Sequence, residues 1–507
     1  MHLSLLLACT DPVRETPQGG EQGEDVALLW DSDHAVDSDY VVEVGQTLTV
    51  TPGVTVLFAP GTQLVVEGEL LARGSAEAPI VFTGDGAARW GGMVFGETAT
   101  DAVFENVDDY AAGSILEHVV VENAARGVEI VGSAPYVFQA TLVGHEIPIT
   151  IDTIGGAGML IRDGATPRVR ETTFSGNVAN TFAFGGGLYV HHADPIIQDC
   201  SFLDNIASYG AGMSTDWMAS PIVGSQFSGN RSQSEGGGLS LISSMSAVLA
   251  NEFTANDAES DGAGIHICVT CDPHANPALY DNVVVGNESE NSDPDEGAAG
   301  IGGAFLGGFA SNDVYENLRD GSPSDFGWFN VASESWPGWA ASPALSDTYW
   351  GTTDPTQIAE TVYDGADSDR YGTVRVESPR STPIGEAIPR AVLGTRQVHY
   401  EDTGEEMPIF LSLYNPGPRL TIQLAIQADG APFTGELAYP AGTRTETGWT
   451  LDMPENSVWF ATILESAYDG ITEGELAWTA TLSDSATGAV IGVPSATHAV
   501  LQPYTAQ

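Results

Sequence analysis

Apolar and polar residues alternate with period two over most of residues 28–350, in short runs broken by Gly, Pro and Asn. Such alternation sends one side chain inward and the next outward, so each run predicts a short strand buried on one face. Early examples are Thr47-Leu48-Thr49-Val50, Val54-Thr55-Val56-Leu57-Phe58 and Gln63-Leu64-Val65-Val66. From residue 155 the pattern also recurs at a fixed interval. Small-residue clusters stand at Gly156-Ala157-Gly158, Gly185-Gly186-Gly187, Gly210-Ala211-Gly212, Gly236-Gly237-Gly238 and Gly262-Ala263-Gly264, with last glycines 29, 25, 26 and 26 residues apart. An apolar-x-apolar step follows each: Met159/Ile161, Leu188/Val190, Met213/Thr215, Leu239/Leu241 and Ile265/Ile267. Further on, each coil carries Phe-x-x-Asn: Phe174/Asn177, Phe202/Asn205, Phe227/Asn230 and Phe253/Asn256, continued by Val284/Asn287 and Val314/Asn317.

Short strands of this kind cannot bury their apolar faces alone, so each coil must stack on the next at about 4.8 Å. Equivalent residues then form ladders. Phenylalanines stack inside, asparagines line a turn and hydrogen-bond from coil to coil, and glycines take corners that a Cβ would oppose. The 3.6-residue period of helical repeats is absent. The pattern predicts an all-β chain: a right-handed parallel β-helix over residues 29–352, followed by a small antiparallel β-sandwich.

The irregular, Trp- and Pro-rich stretch at 320–344 is expected to cover the helix end, since an open end is an edge for aggregation. Residues 353–395 read as a closing segment and linker. Over 396–507 the alternating runs lengthen, as in Ile409–Tyr414, Leu420–Ile426 and Leu476–Leu482, and turns such as Asn415-Pro416-Gly417-Pro418 separate them. That is the signature of an Ig-like sandwich.

Two segments carry a family resemblance. Leu70-Leu71-Ala72-Arg73-Gly74, running on to Ala78-Pro79-Ile80-Val81-Phe82-Thr83, resembles the first coils of secreted bacterial proteins with pectin-lyase-like β-helices. Tyr349-Trp350-Gly351 resembles their closing segment, and the Gly-Gly-Gly/Phe-x-x-Asn coils are similar to polymorphic outer-membrane-protein-like repeats. The resemblance covers roughly residues 28–380. It implies the fold and export to a cell surface, but it does not choose among lyases, hydrolases, adhesins and structural proteins.

Composition narrows the partners. With 69 acidic and 16 basic residues, all of the latter arginine, the net charge is −53, which repels nucleic acid and anionic membranes. Leu6-Leu7-Ala8-Cys9 resembles the lipobox of bacterial lipoproteins, so residues 1–9 are expected to be a truncated signal with Cys9 acylated, and residues 10–28 a flexible tether. This implies a lipid anchor, in the outer membrane or on the cell surface of a Gram-negative bacterium, and no spanning segment.

Side-chain parity confines the candidate chemistry. If Leu188 and Val190 face inward, Tyr189 and His191 face outward. One outer column is then Leu160, Tyr189, Ser214, Ser240 and His266; the next is Arg162, His191, Asp216, Ile242 and Cys268. Arg162, His191 and Asp216 with the aromatic faces of Tyr189 and Trp217, and His266 nearby, would suit a glycan: hydrogen bonds around the sugar ring and stacking on its face. Cys268 and Cys271 are expected to form a small disulfide, with free thiols or a zinc site completed by His266 and His274 as alternatives. Cys200 is expected to be a small buried residue. Asp272-Pro273-His274 resembles part of an alginate-epimerase motif but lacks its following Glu. Acid-rich loops at Asp31/Asp33, Asp37/Asp39, Asp293/Asp295/Glu296 and Asp364/Asp367/Asp369 offer the oxygens Ca²⁺ takes, but none has EF-hand spacing; no cofactor is expected. Together these features favour a non-catalytic scaffold for adhesion, glycan contact or envelope structure. A polysaccharide lyase or glycoside hydrolase on the same outer face is the alternative.

Overall fold

A computed structural model describes residues 26–86, 88–147, 155–180, 182–268, 276–291, 298–303, 307–328, 344–364, 366–367, 373–395, 398–400, 406–428, 431–433, 437, 442–466 and 474–502. The short strands stack into long sheets, of thirteen, eleven, twelve and eight strands among the described residues, parallel except for the pair Leu318–Arg319 and Ser322–Pro323. One full coil shows the path. Arg168–Arg170 lies in the thirteen-strand sheet, Thr173–Ser175 in the eleven-strand sheet, Val178–Ala179 in the eight-strand sheet and Leu188–His191 in the twelve-strand sheet. Ile196–Gln198 then returns to the first sheet, beside Arg168–Arg170. The chain is a parallel β-helix.

The first coils have only three walls. Val26–Trp30, His34–Val36 and Tyr40–Val42 make one turn, and Val26 pairs with Gln46 on the next. The fourth wall begins at Glu146–Ile147, and the glycine clusters begin with it. Gly185 shows why. Its φ of +60° folds the chain sharply from the eight-strand sheet back onto the twelve-strand sheet, a conformation that disfavours a Cβ. Gly187, two residues on, lies against the interior: a Cβ there would meet the Gly212 carbonyl of the next coil at 2.5 Å, Phe202 at 3.0 Å and the Asn205 amide at 3.2 Å. The glycine cluster and the Phe-x-x-Asn mark are therefore one device, in which each needs the other's shape.

The ladders form as the sequence predicts. Phe174, Phe202, Phe227 and Phe253 are fully buried and stack with ring centroids 4.8, 4.6 and 4.6 Å apart. Asn177, Asn205, Asn230, Asn256, Asn287 and Asn317 run beside them; each Nδ2 donates to the next Oδ1, at 3.0 Å from Asn177 to Asn205 and 2.9 Å from Asn287 to Asn317. The left-handed residue is not the asparagine but the one before it, such as Asp204 (φ 54°) or Ala255 (φ 54°). His145 begins the ladder and Asp325 ends it. A second ladder passes through Cys200, Ser225, Asn251, Asn282 and Asn312. Cys200 is buried and free, and burial pushes its thiol up to about 12.

Three boundaries differ from expectation. Among the described residues the first helix strand is Val26–Trp30, which overlaps the segment read as tether and pairs with Gln46–Val50. It continues past residue 352, since Val362–Tyr363 and Arg375–Glu377 still add parallel strands. Arg390–Thr395, expected as linker, is a strand of the second unit, paired with Glu406–Asn415. That unit is a two-sheet sandwich, antiparallel except where Val398–Tyr400 lies parallel to Val490–Gln502. Leu393, Ile409, Leu411 and Leu413 of one sheet pack against Ile422, Leu424, Trp449, Leu451, Trp478 and Leu482 of the other.

The sandwich does not project outward. It lies along the thirteen-strand sheet, where Val392, Tyr414 and Val458 form a buried cluster with Val223, Leu249, Tyr280 and Ala310. Arg390 clasps Asp281 with two hydrogen bonds of 2.6 Å, both side chains 3% exposed. The Asn456 carbonyl accepts from Gln198 at 2.9 Å, and its amide donates to Asp199 at 3.0 Å. Apolar side chains on this sheet had no reason in sequence to face outward; the sandwich is the reason.

Candidate functional site

The strands Met159–Arg162, Leu188–His191, Met213–Asp216, Leu239–Ile242 and Ile265–Cys268 are neighbours in the twelve-strand sheet, in unbroken register. Both outer columns that parity predicts are present: Leu160, Tyr189, Ser214, Ser240, His266, and Arg162, His191, Asp216, Ile242, Cys268.

The first column is not exposed, contrary to expectation. Tyr189 and His266 are only 3% and 5% exposed. Parity aims them away from the main core, but the left-handed glycine of each cluster folds the chain back over them. A Cβ on Gly262 would lie 2.6 Å from the Cα of His266. Phe184 stacks on Tyr189 at 5.4 Å. His266 is held between Ser240 Oγ (3.2 Å from Nδ1) and Glu235 (3.3 Å from Nε2), and burial lowers its pKa. The order Ser–His–Glu resembles a nucleophile relay, but Ser240 has no exposure, so no substrate reaches it. Tyr189 and His266 thus drop out as glycan contacts.

The second column remains at the surface over Arg162, His191 and Asp216, all partly exposed. Arg162 Nε donates to Glu129 at 2.9 Å and its Nη1 pairs with Asp163, so the guanidinium is committed to carboxylates. His191 Nδ1 lies 3.1 Å from Asp216 Oδ2 and 3.3 Å from the Tyr189 hydroxyl, whose pKa burial raises. Further along, Ile242 is half-buried and Cys268 buried. Cys268 is disulfide-bonded. Cys9, Cys271, His274 and the Asp272-Pro273-His274 triplet lie outside the described residues, as do Trp336 and Trp339.

Sequence reasoning missed His192. Strict alternation would turn it inward after His191, but its φ is 50°, and that left-handed step leaves it exposed at the corner. Its ring stands perpendicular to His191 with centroids 4.4 Å apart, and stacks on Trp217 at 5.8 Å and 12°. Asp163, Trp217 and Ser243 occupy the same left-handed position on neighbouring coils. The polar residue directly after each outward strand end was the signal available.

Described acids of three of the acid-rich loops hold backbone amides. Asp33 accepts from the amide of Thr55 at 2.9 Å, Asp39 from that of Gln63 at 3.0 Å, and Asp364 from that of Ala366 at 2.8 Å. Asp293, Asp295, Glu296 and Asp369 lie outside the described residues.

No protein-family model matches the sequence, and no curated protein matches it. Among solved structures, a double mutant of the tailspike protein of E. coli bacteriophage HK620 is similar at 10% identity over 87% of each chain, with a TM-score of 0.21.

Proposed function

We propose that this protein is a non-catalytic β-helix scaffold, lipid-anchored through Cys9 on a Gram-negative cell surface, that contacts a neutral glycan. The contact is made on the outer face at Arg162, His191, His192, Asp216 and Trp217. The observation that carries the reading is the polar and aromatic file itself, which stays at the surface while the sandwich covers Val223, Leu249, Tyr280 and Ala310 of the thirteen-strand sheet. A sugar needs both kinds of contact, hydrogen bonds at its rim and a flat ring against its face. With a net charge of −53, an anionic polymer would be repelled, and a neutral one would not.

A second reading, a lyase or hydrolase, draws on Asp216, His191 and Tyr189, an acid and a phenol that both approach the imidazole Nδ1. Against it, Arg162 is already bound to carboxylates and Tyr189 is buried. A glycan array tests the proposal. Binding to one class of neutral glycan is expected, lost in Asp216→Ala and Trp217→Ala. Binding that survives both substitutions and His191→Ala removes this face from the account.

A further inference from the structure

We infer that His191, His192 and Asp216 form a binding site for a divalent first-row transition ion, with zinc the best fit. The inference goes beyond glycan contact and does not rest on it. One ligating atom from each of the three residues can be chosen so that all lie within 4.8 Å of one another.

Their convergence is a consequence of the fold. His191 is the last residue of Leu188–His191, and Asp216 is its register partner on the next coil. His192 would face the opposite way in a continuing strand, but the left-handed step at φ 50° swings it to the same side. Adjacent residues in a strand rarely share a face; here the corner makes them do so.

The donor set selects the ion. Two imidazoles and one carboxylate suit zinc, copper or nickel, whereas calcium takes oxygen ligands almost exclusively. Donors around tetrahedral zinc sit about 3.4 Å apart, given bonds of about 2.1 Å. His191 Nδ1 and Asp216 Oδ2 are already 3.1 Å apart. The remaining approach requires only that the exposed His192 ring turn, and stacking on Trp217 limits the orientations it loses. The Tyr189 hydroxyl lies 3.3 Å from the same Nδ1 and would have to turn from it when an ion takes that lone pair. Arg162, the nearest cation in the file, is neutralised by Glu129 and Asp163. Three protein ligands leave at least one coordination position open to water or a ligand. The ion would also fasten the coil of Leu188–His191 to that of Met213–Asp216.

Equilibrium dialysis of the full chain against zinc chloride tests this, with excess calcium present to saturate the diffuse acidic surface. The expected result is one calcium-resistant zinc per chain, absent in both His192→Ala and His191→Ala. His192 is exposed, so its variant keeps the fold, which circular dichroism verifies. Absence of calcium-resistant zinc in the parent chain, or equal zinc in the parent and His192→Ala, overturns the site.

Discussion

At the scale of single residues, the two ends of the buried asparagine ladder are the most informative positions. His145 is fully buried; its Nδ1 accepts from the Ala124 amide at 3.1 Å and its Nε2 donates to the Val121 carbonyl at 3.0 Å. Only the neutral ring satisfies both bonds, and burial pushes its pKa down to about 3. Between pH 3 and the unfolded value of about 6.5 the unfolded chain therefore binds the extra proton, and stability is lost as pH falls through that window. Asp325 has the opposite sign. It accepts from the backbone amide and side chain of Asn317, and burial raises it to about 6. Its contribution is favourable at low pH and is lost as pH rises from about 3.8 to about 6. Asparagine fits both places, since the rungs between them are asparagine. His145→Asn should gain on the parent by about 2 kcal/mol between pH 7 and pH 5. Asp325→Asn should be more stable than the parent at pH 7 and equal to it near pH 4. Thermal unfolding across pH checks both; parallel curves for parent and variants would contradict the assignment.

At the scale of elements, the repeat was legible because one coil's geometry is printed many times. Inward Leu188, Val190, Leu239 and Ile265 and the stacked phenylalanines follow from period two and the recurring interval. The fourth wall was not legible. Several of its strands, such as Val178–Ala179 and Asp257–Ala258, are two residues long, too short to carry a period, and the longer Arg231–Glu235 is polar throughout. Missing that wall led to Tyr189 and His266 being read as surface residues. His192 was missed for a related reason: parity is a rule for strands, and it fails at the left-handed corner. The asparagine ladder predicts a steep local cost. Asn230→Ala would remove the acceptor of two hydrogen bonds from Asn205 and the donor to the Phe202 carbonyl, all buried. We expect a loss of roughly 3 kcal/mol in denaturant unfolding, against under about 0.5 kcal/mol for a change at exposed Glu252.

At the scale of the whole molecule, the docked sandwich decides which surfaces remain for function. Nothing local in the sequence announces it, since Arg390 and Asp281 are 109 residues apart and each looks like one more surface charge. Folding brings them together in a buried pair, where removing one partner strands the other. Arg390→Ala should cost about 3–5 kcal/mol and loosen the sandwich, seen as a larger radius of gyration in small-angle X-ray scattering; an unchanged profile and stability would show that the apolar cluster around Tyr414 suffices. With that flank closed, the file from Arg162 to Asp216 is one of the faces that stay open, and the proposed function predicts binding there without turnover. The most direct test is to incubate the full chain with a neutral glycan it retains on the array, then measure both occupancy and the mass of the recovered glycan. Saturable binding, lost in Asp216→Ala, with the glycan recovered intact is the predicted result. Shortened or unsaturated glycan products, lost in the same variant, would contradict it and make the protein an enzyme.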